Sequence, residues 1–125
     1  MADGSLIIYD KSNMIAPDLF GAFANPLRLR ILSLLGAQKE ICVCDLCVVL
    51  GVSQPKVSRH LAILRETRLV DVRSEGKWKF YSLAQPATSL HRTLLRCIGT
   101  CLTEIDELAA DRERLAGIEP RLRCD

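Results

Sequence analysis

The stretch Ser53-Gln54-Pro55-Lys56-Val57-Ser58-Arg59-His60-Leu61 carries the reading of this chain. Val57, Leu61 and, just beyond, Leu64 are spaced i, i+4, i+7, which predicts a helix with one buried face. Ser53 suits the N-cap, and Pro55 is tolerated in the first turn. Gln54, Lys56, Ser58 and Arg59 then point outward, so the free face is polar and basic. Upstream, a second helix is predicted from about Cys42 to Leu50, with Gly51 as the turn residue. Two helices joined by a Gly-containing turn, the second basic on its free face, make a helix-turn-helix.

Downstream the period changes from helical to alternating. Val70, Val72 and Arg73, then Trp78, Phe80 and Tyr81, predict two short strands around Ser74-Glu75-Gly76-Lys77. A hairpin placed directly after such a helix is a wing. Upstream, a short helix is expected over Pro17 to Ala24, with Leu19, Phe20 and Phe23 on its apolar face. Asn25-Pro26 then reads as the cap and first turn of a helix carrying Leu27, Ile31, Leu34 and Leu35, with Gly36 as its stop. A final long helix is expected from about Pro86 to Ala116, with Leu90, Leu94, Ile98, Cys101, Ile105 and Leu108 on one face. That stripe is too long for a small domain to cover alone, which predicts a homodimer through the terminal helices. The expected layout is an arm at 1–13, one winged helix-turn-helix domain at 14–117 and a tail at 118–125. The fold class is mainly α with a small β-hairpin wing.

With 125 residues, 49% of them hydrophobic and 26% charged, the chain is long enough for one packed core. No apolar run reaches the roughly 18 residues of a membrane span. The start, Met1-Ala2-Asp3-Gly4-Ser5, lacks the basic and apolar pattern of an export signal, so a cytoplasmic location is expected. The net charge of +2 implies little alone, but between Gly51 and Leu83 seven basic residues stand against three acidic ones. Positive charge is concentrated where a nucleic-acid contact needs it.

Six cysteines remain to be explained, and three of them crowd into Ile41-Cys42-Val43-Cys44-Asp45-Leu46-Cys47. In a reducing compartment such spacing points to metal binding or redox chemistry before structural crosslinks. Cys44 and Cys47, at i and i+3, share a helix face about 5–6 Å apart at Cβ. Cys42 falls at or just before the helix start, where its backbone is free to fold back. The helix N-terminus favours thiolates, and thiolates favour soft ions. Three thiolates without a fourth ligand suit a pyramidal ion such as As(III), whereas zinc wants four ligands and no His lies near. A dithiol redox motif at Cys44 and Cys47 is the competing reading, but no strand or βαβ pattern surrounds it. Cys97 and Cys101, at i and i+4, read as dimer-core packing or as a second soft-metal site, and Cys124 as a free thiol. His60 reads as a packing or phosphate-contact residue, and His91 as a surface or cap residue.

Ala24-Asn25-Pro26-Leu27-Arg28-Leu29-Arg30-Ile31-Leu32, Val43-Cys44-Asp45-Leu46, the Ser53–Leu61 stretch and Gly76-Lys77-Trp78-Lys79-Phe80-Tyr81 together resemble the ArsR/SmtB family of small winged-helix repressors. The resemblance covers roughly residues 20–83. Its Cys-x-Cys-x-x-Cys variant is similar to the arsenic-responsive branch, which implies As(III) or Sb(III) as inducer at Cys42, Cys44 and Cys47, and no organic cofactor. A sensor of cadmium or lead on the same thiolates is the alternative within the class. Two departures stand out. Arg68 occupies a position where the family usually has Gly, and the family's zinc site is missing, because counting from His91 its second half falls on Leu102 and Ile105.

On the DNA side, Gln54 and Arg59 have the geometry for bidentate contacts to adenine and guanine. Ser53, Lys56 and Ser58 sit beside them at the groove-entering end of the helix. Arg73, Lys77 and Lys79 of the wing are expected on phosphate or in the minor groove. The expected partners are a palindromic operator and a second copy of the chain. No acid, base and nucleophile constellation suggests an enzyme. Drawing three sulfurs onto one ion is expected to distort the helix that braces the recognition helix, and so to weaken DNA binding.

Overall fold

The computed structural model describes residues 16–100 and 104–118. The expected arm, Cys101, Leu102, Cys124 and the tail beyond Ile118 lie outside the described residues. Helix α1 (Ala16–Phe23) leads into α2 (Pro26–Ala37), the central helix of the core. Asn25 starts α2 as expected: its Oδ1 accepts hydrogen bonds from the backbone N–H groups of Leu27 (2.9 Å) and Arg28 (3.1 Å), and Pro26 needs no partner for a missing N–H. Ile31, Leu32, Leu34 and Leu35 are all buried, so α2 is covered on nearly every side. The expected stop at Gly36 is passed by one residue, and the helix ends at Ala37 with Gln38 in extended conformation.

A two-residue strand, β1 (Ile41–Cys42), precedes α3 (Val43–Leu50). The sequence pattern did not show this strand, since two residues cannot display an alternation. Gly51 closes α3 at φ 66°, and its N–H donates to Cys47 O at 2.9 Å. Only Gly takes that left-handed turn without strain. Helix α4 (Gln54–Glu66) follows with Val57, Leu61 and Leu64 buried, as their spacing predicts. Ser53 occupies the N-cap position of α4 but makes no side-chain cap bond.

The end of α4 bears on the first departure from the family pattern. Arg68 adopts φ 62°. Its N–H donates to Arg65 O (3.0 Å), and the next N–H, of Leu69, reaches back to Leu64 O (2.9 Å). That is a Schellman ending with Arg68 where Gly is favoured, and the buried Leu64 and Leu69 belong to the hydrophobic core that accompanies it.

Strands β2 (Val70–Glu75) and β3 (Trp78–Leu83) form the expected wing, turning through Gly76 and Lys77. β1 adds to the other side of β3, giving an antiparallel sheet in the order β1-β3-β2, with Cys42 opposite Phe80 and Ile41 opposite Tyr81.

The single long C-terminal helix is not what forms. Helix α5 (Ser89–Thr100) and helix α6 (Asp106–Ala116) are separate, and Ile105 between them is extended at φ −86°, ψ 117°. Asp106 and Glu107 place negative charge in the first turn of the new helix, where the helix dipole favours it. The break lets α6 lie along α2 and α3, burying Leu108, Asp111 and Leu115. The expected stripe is therefore shared between two short helices, and Ile105 is exposed. His91, expected at the surface or as a cap, is buried at the start of α5, where its Nδ1 takes the Ala87 N–H at 3.4 Å.

Candidate thiol site and nucleic-acid interface

The outward face of α4 is as the apolar spacing requires. Ser53, Gln54, Lys56 and Arg59 are exposed, and Ser58 is half-buried. His60 is turned inward instead: its Nδ1 lies 3.0 Å from Arg28 Nη1. The same guanidinium donates to Ala22 O (2.9 Å) and Gly21 O (3.2 Å), so one arginine ties α4 to α1. Burial lowers the His60 pKa, assisted by the charges of Arg28, Arg59 and Lys56. A neutral imidazole accepting at Nδ1 is a packing strut, the first of the two roles expected for it.

In the wing, Lys77 stands exposed at the turn and Lys79 Nζ donates to Ser74 Oγ at 3.2 Å. Arg73 is occupied differently from the expectation. Its Nη2 and Nε donate to the two carboxylate oxygens of Glu40 (2.6 and 3.2 Å), and Nη1 donates to Glu75 at 3.3 Å. The guanidinium also lies 4.6 Å from the Phe80 ring centre. These hydrogen bonds, to Glu40 first and Glu75 second, raise its pKa further. A forked arginine–carboxylate pair is the geometrically specific kind. Arg73 thus fastens the segment before β1 to the wing. Sequence reading missed Glu40 because nothing local marks a partner 33 residues away.

The thiols sit where these parts meet. Cys42 is 3% exposed, at once the last residue of β1 and the N-cap of α3. Cys44 and Cys47 are half-buried on α3, and both are free thiols, as is Cys42. Burial pushes the Cys47 pKa up, with the neighbouring Cys44 and Cys42 adding to it. Cys42 and Cys44 line a cavity of about 390 Å³ whose far wall is formed by Gln54 and Ser58 of α4 and by Lys77 and Trp78 of the wing. Among the described residues no three His, Cys, Asp or Glu side chains are placed to hold one ion together. The triplet is therefore close in sequence but ungathered, and Cys47 does not reach the cavity. Cys97 is exposed on α5, and its expected companion Cys101 lies outside the described residues.

The opposite end of α3 is held by residues that the sequence did not single out. Arg114 Nε donates to Val49 O (3.1 Å), and Arg30 Nη2 donates to Leu50 O (3.4 Å). Both guanidinia converge on Asp111, which is 0% exposed: Arg30 Nε and Nη2 reach it at 2.8 and 2.9 Å, and Arg114 Nη2 also donates to it. Cations at a helix C-terminus satisfy its last carbonyls and match its dipole. α3 is thus clamped at its C-terminal end and open to the cavity at its N-terminal end. A strand does precede Cys44, against expectation, but the sheet is antiparallel throughout, so no βαβ unit frames a redox dithiol among the described residues.

The sequence profile described as "Bacterial regulatory protein, arsR family" matches residues 25–72, from the cap of α2 into β2. The chain is 49% identical to the arsenical resistance operon repressor of Escherichia coli K12, over 58% of this chain and 62% of that protein's length. It is 31% identical to a cadmium resistance transcriptional regulatory protein (CadC homolog) of Staphylococcus aureus, over 66% of this chain and 78% of the relative. The chain belongs to the arsR family of bacterial regulatory proteins. Among solved structures, the homodimeric winged helix-turn-helix DNA-binding domain of Mb0332 from Mycobacterium bovis superposes with a TM-score of 0.58 at 29% identity, covering 74% of this chain and 79% of that one. Within the arsR-family frame, α3 and α4 are the helix-turn-helix and β2–β3 the wing. These relatives are regulators, not enzymes. No helix among the described residues is long and apolar enough to cross a membrane.

Proposed function

We propose that this chain is a homodimeric transcriptional repressor that binds a palindromic operator and releases it when trivalent arsenic, or antimony, binds at Cys42, Cys44 and Cys47. One observation carries the reading: two of the thiols open into a cavity whose other wall is the DNA-reading face itself, Gln54 and Ser58 with Lys77. The donor set fits a soft, three-coordinate metalloid, because all the candidate ligands are thiols on one segment and α3 begins between them. When bound, such an ion supplies three directional bonds to sulfur.

The chain's own residues supply the rest. Cys42 and Cys44 stand at the cavity, while Cys47 lies a turn further along α3 and completes the set only if that first turn opens. The clamp of Arg30, Arg114 and Asp111 keeps the far end of α3 fixed. Distortion is then confined to the N-terminal turn, beside Gln54 and Ser58. A coupling of about 1–3 kcal/mol between thiol occupancy and DNA affinity gives a several-fold to hundred-fold release. Ser53, Gln54, Lys56, Ser58 and Arg59 form the groove-entering end of α4, with Lys77 on the backbone. Cadmium on the same thiols is the second reading, favoured by the Staphylococcus aureus relative.

An operator-binding titration with arsenite, antimonite, cadmium and zinc tests this, repeated on single Cys→Ser variants. Arsenite and antimonite should release the wild-type protein, while Cys42→Ser and Cys44→Ser should stay on the operator. If the Cys42→Ser/Cys44→Ser double variant leaves the operator on arsenite, the reading is wrong.

A further inference from the structure

The strand order β1-β3-β2 leaves β1 paired to β3 by its backbone but not to β2. Glu40 and Arg73 cross that gap. Cys42, Phe80 and Arg73 lie opposite one another in a single row through the three strands. Ile41 and Tyr81 belong to the hydrophobic core and Val72 packs against it. Side chains alternate along a strand, so the row of Cys42, Phe80 and Arg73 occupies the other face. There the Arg73 guanidinium lies 4.6 Å from the Phe80 ring centre, and Trp78 stacks on the same ring at 6.4 Å. The guanidinium continues past Phe80 to both carboxylate oxygens of Glu40 (2.6 and 3.2 Å), two residues before Cys42. A lone exposed ion pair contributes little. This one is forked, rests on an aromatic ring and is braced by Glu75 at 3.3 Å, which fixes its geometry.

We propose that Glu40 and Arg73 are a positioning pair that carries thiol occupancy to the wing. The proposal rests on the reading of Cys42 as an inducer ligand. β1 is only two residues long and touches one strand of the hairpin. A shift of Cys42 toward the other two sulfurs could therefore shear β1 along β3 and leave the wing where it was. The fork prevents that, because Glu40 moves with Cys42 and Arg73 belongs to the far strand, β2. Both strands of the hairpin then follow the thiol segment as one body. Lys77, at the turn between them, is drawn off the DNA backbone. Inducer binding thus acts on two DNA-contacting parts: on α4 through the first turn of α3, and on the wing through Glu40 and Arg73.

Operator binding by the full chain, measured across a range of salt concentrations with and without saturating arsenite, tests the pair. In the wild type, arsenite should weaken binding and also flatten the salt dependence, by about one phosphate contact per wing. Glu40→Gln should bind arsenite as tightly, read from arsenic–sulfur absorbance, yet be released about two- to fivefold less, as an exposed pair allows. Its salt dependence should be the same with and without arsenite, which a merely structural role for Glu40 would not produce. Arg73→Gln should lose release to a similar degree. The double variant should be released no less than either single one, because the two residues act as a unit. Wild-type release and flattening in Glu40→Gln would overturn the proposal. So would additive losses in the double variant, which would place Arg73 on the DNA independently of Glu40. Undiminished arsenite binding by Cys42→Ser would instead sink the inducer reading on which the pair's role rests.

Discussion

Arg68 holds a left-handed conformation that its side chain opposes, because the Schellman ending of α4 requires it and Leu64 and Leu69 are buried around it. Arg68→Gly should therefore stabilise the fold by about 0.5–1 kcal/mol, read as a rise in thermal midpoint with operator affinity unchanged. An unchanged or lower midpoint would show that the turn is not strained. The position was legible from sequence, since the resemblance put Gly there. The ion pair of Arg73 was not legible, because its partner Glu40 is brought within reach only by folding. His60 was legible only as a pair of alternatives, until Arg28 settled which way the ring faces.

At the scale of elements, α6 acts on α3 through Asp111. Asp111→Ala removes the buried carboxylate from Arg30, which is largely covered, while Arg114 is half exposed and keeps water. The loss in chemical unfolding should therefore be about 2–4 kcal/mol, below the full cost of breaking a wholly buried pair. A loss under 1 kcal/mol would mean that Arg30 finds water as well. The α3–α4 pair and the hairpin were readable from the sequence because each carries its own period: 3.6 for Val57, Leu61 and Leu64, and 2 for the wing strands. The break at Ile105 was not readable, because Leu90, Leu94, Ile98 and Leu108 keep a helical spacing that one long helix would also satisfy. Nothing local shows that α6 turns back for the sake of Arg30. β1 escaped for a different reason, its pairing with β3 being its entire definition.

For the whole molecule, splitting the C-terminal helix changes the argument for a dimer. Leu108 and Leu115 are buried within one protomer, so the surplus apolar surface is smaller than the stripe suggested. What remains exposed includes Phe20 of α1 at 51%, with Leu90, Leu94 and Leu95 of α5 only half covered. The chain should sediment as a dimer, and Phe20→Glu should shift it to a monomer with unchanged circular dichroism. A variant that stays dimeric would place the interface elsewhere. The residues that line the cavity beside Cys42 and Cys44 belong to β1, α3, α4 and the wing, not to α1 or α5. Cys42 belongs to a sheet and a helix at the same time, opposite Phe80 on one side and heading α3 on the other. No linker residue lies between the two to absorb a rotation. A change in the backbone angles at that one residue re-aims the hairpin and the helix together, much as turning a shared hinge pin moves both leaves of a door. On the proposed reading, sensitivity to the inducer is a property of a junction, and lengthening the chain by one residue ahead of Cys42, which slips the β1 register but keeps the Cys-x-Cys-x-x-Cys spacing, should uncouple sensing from release.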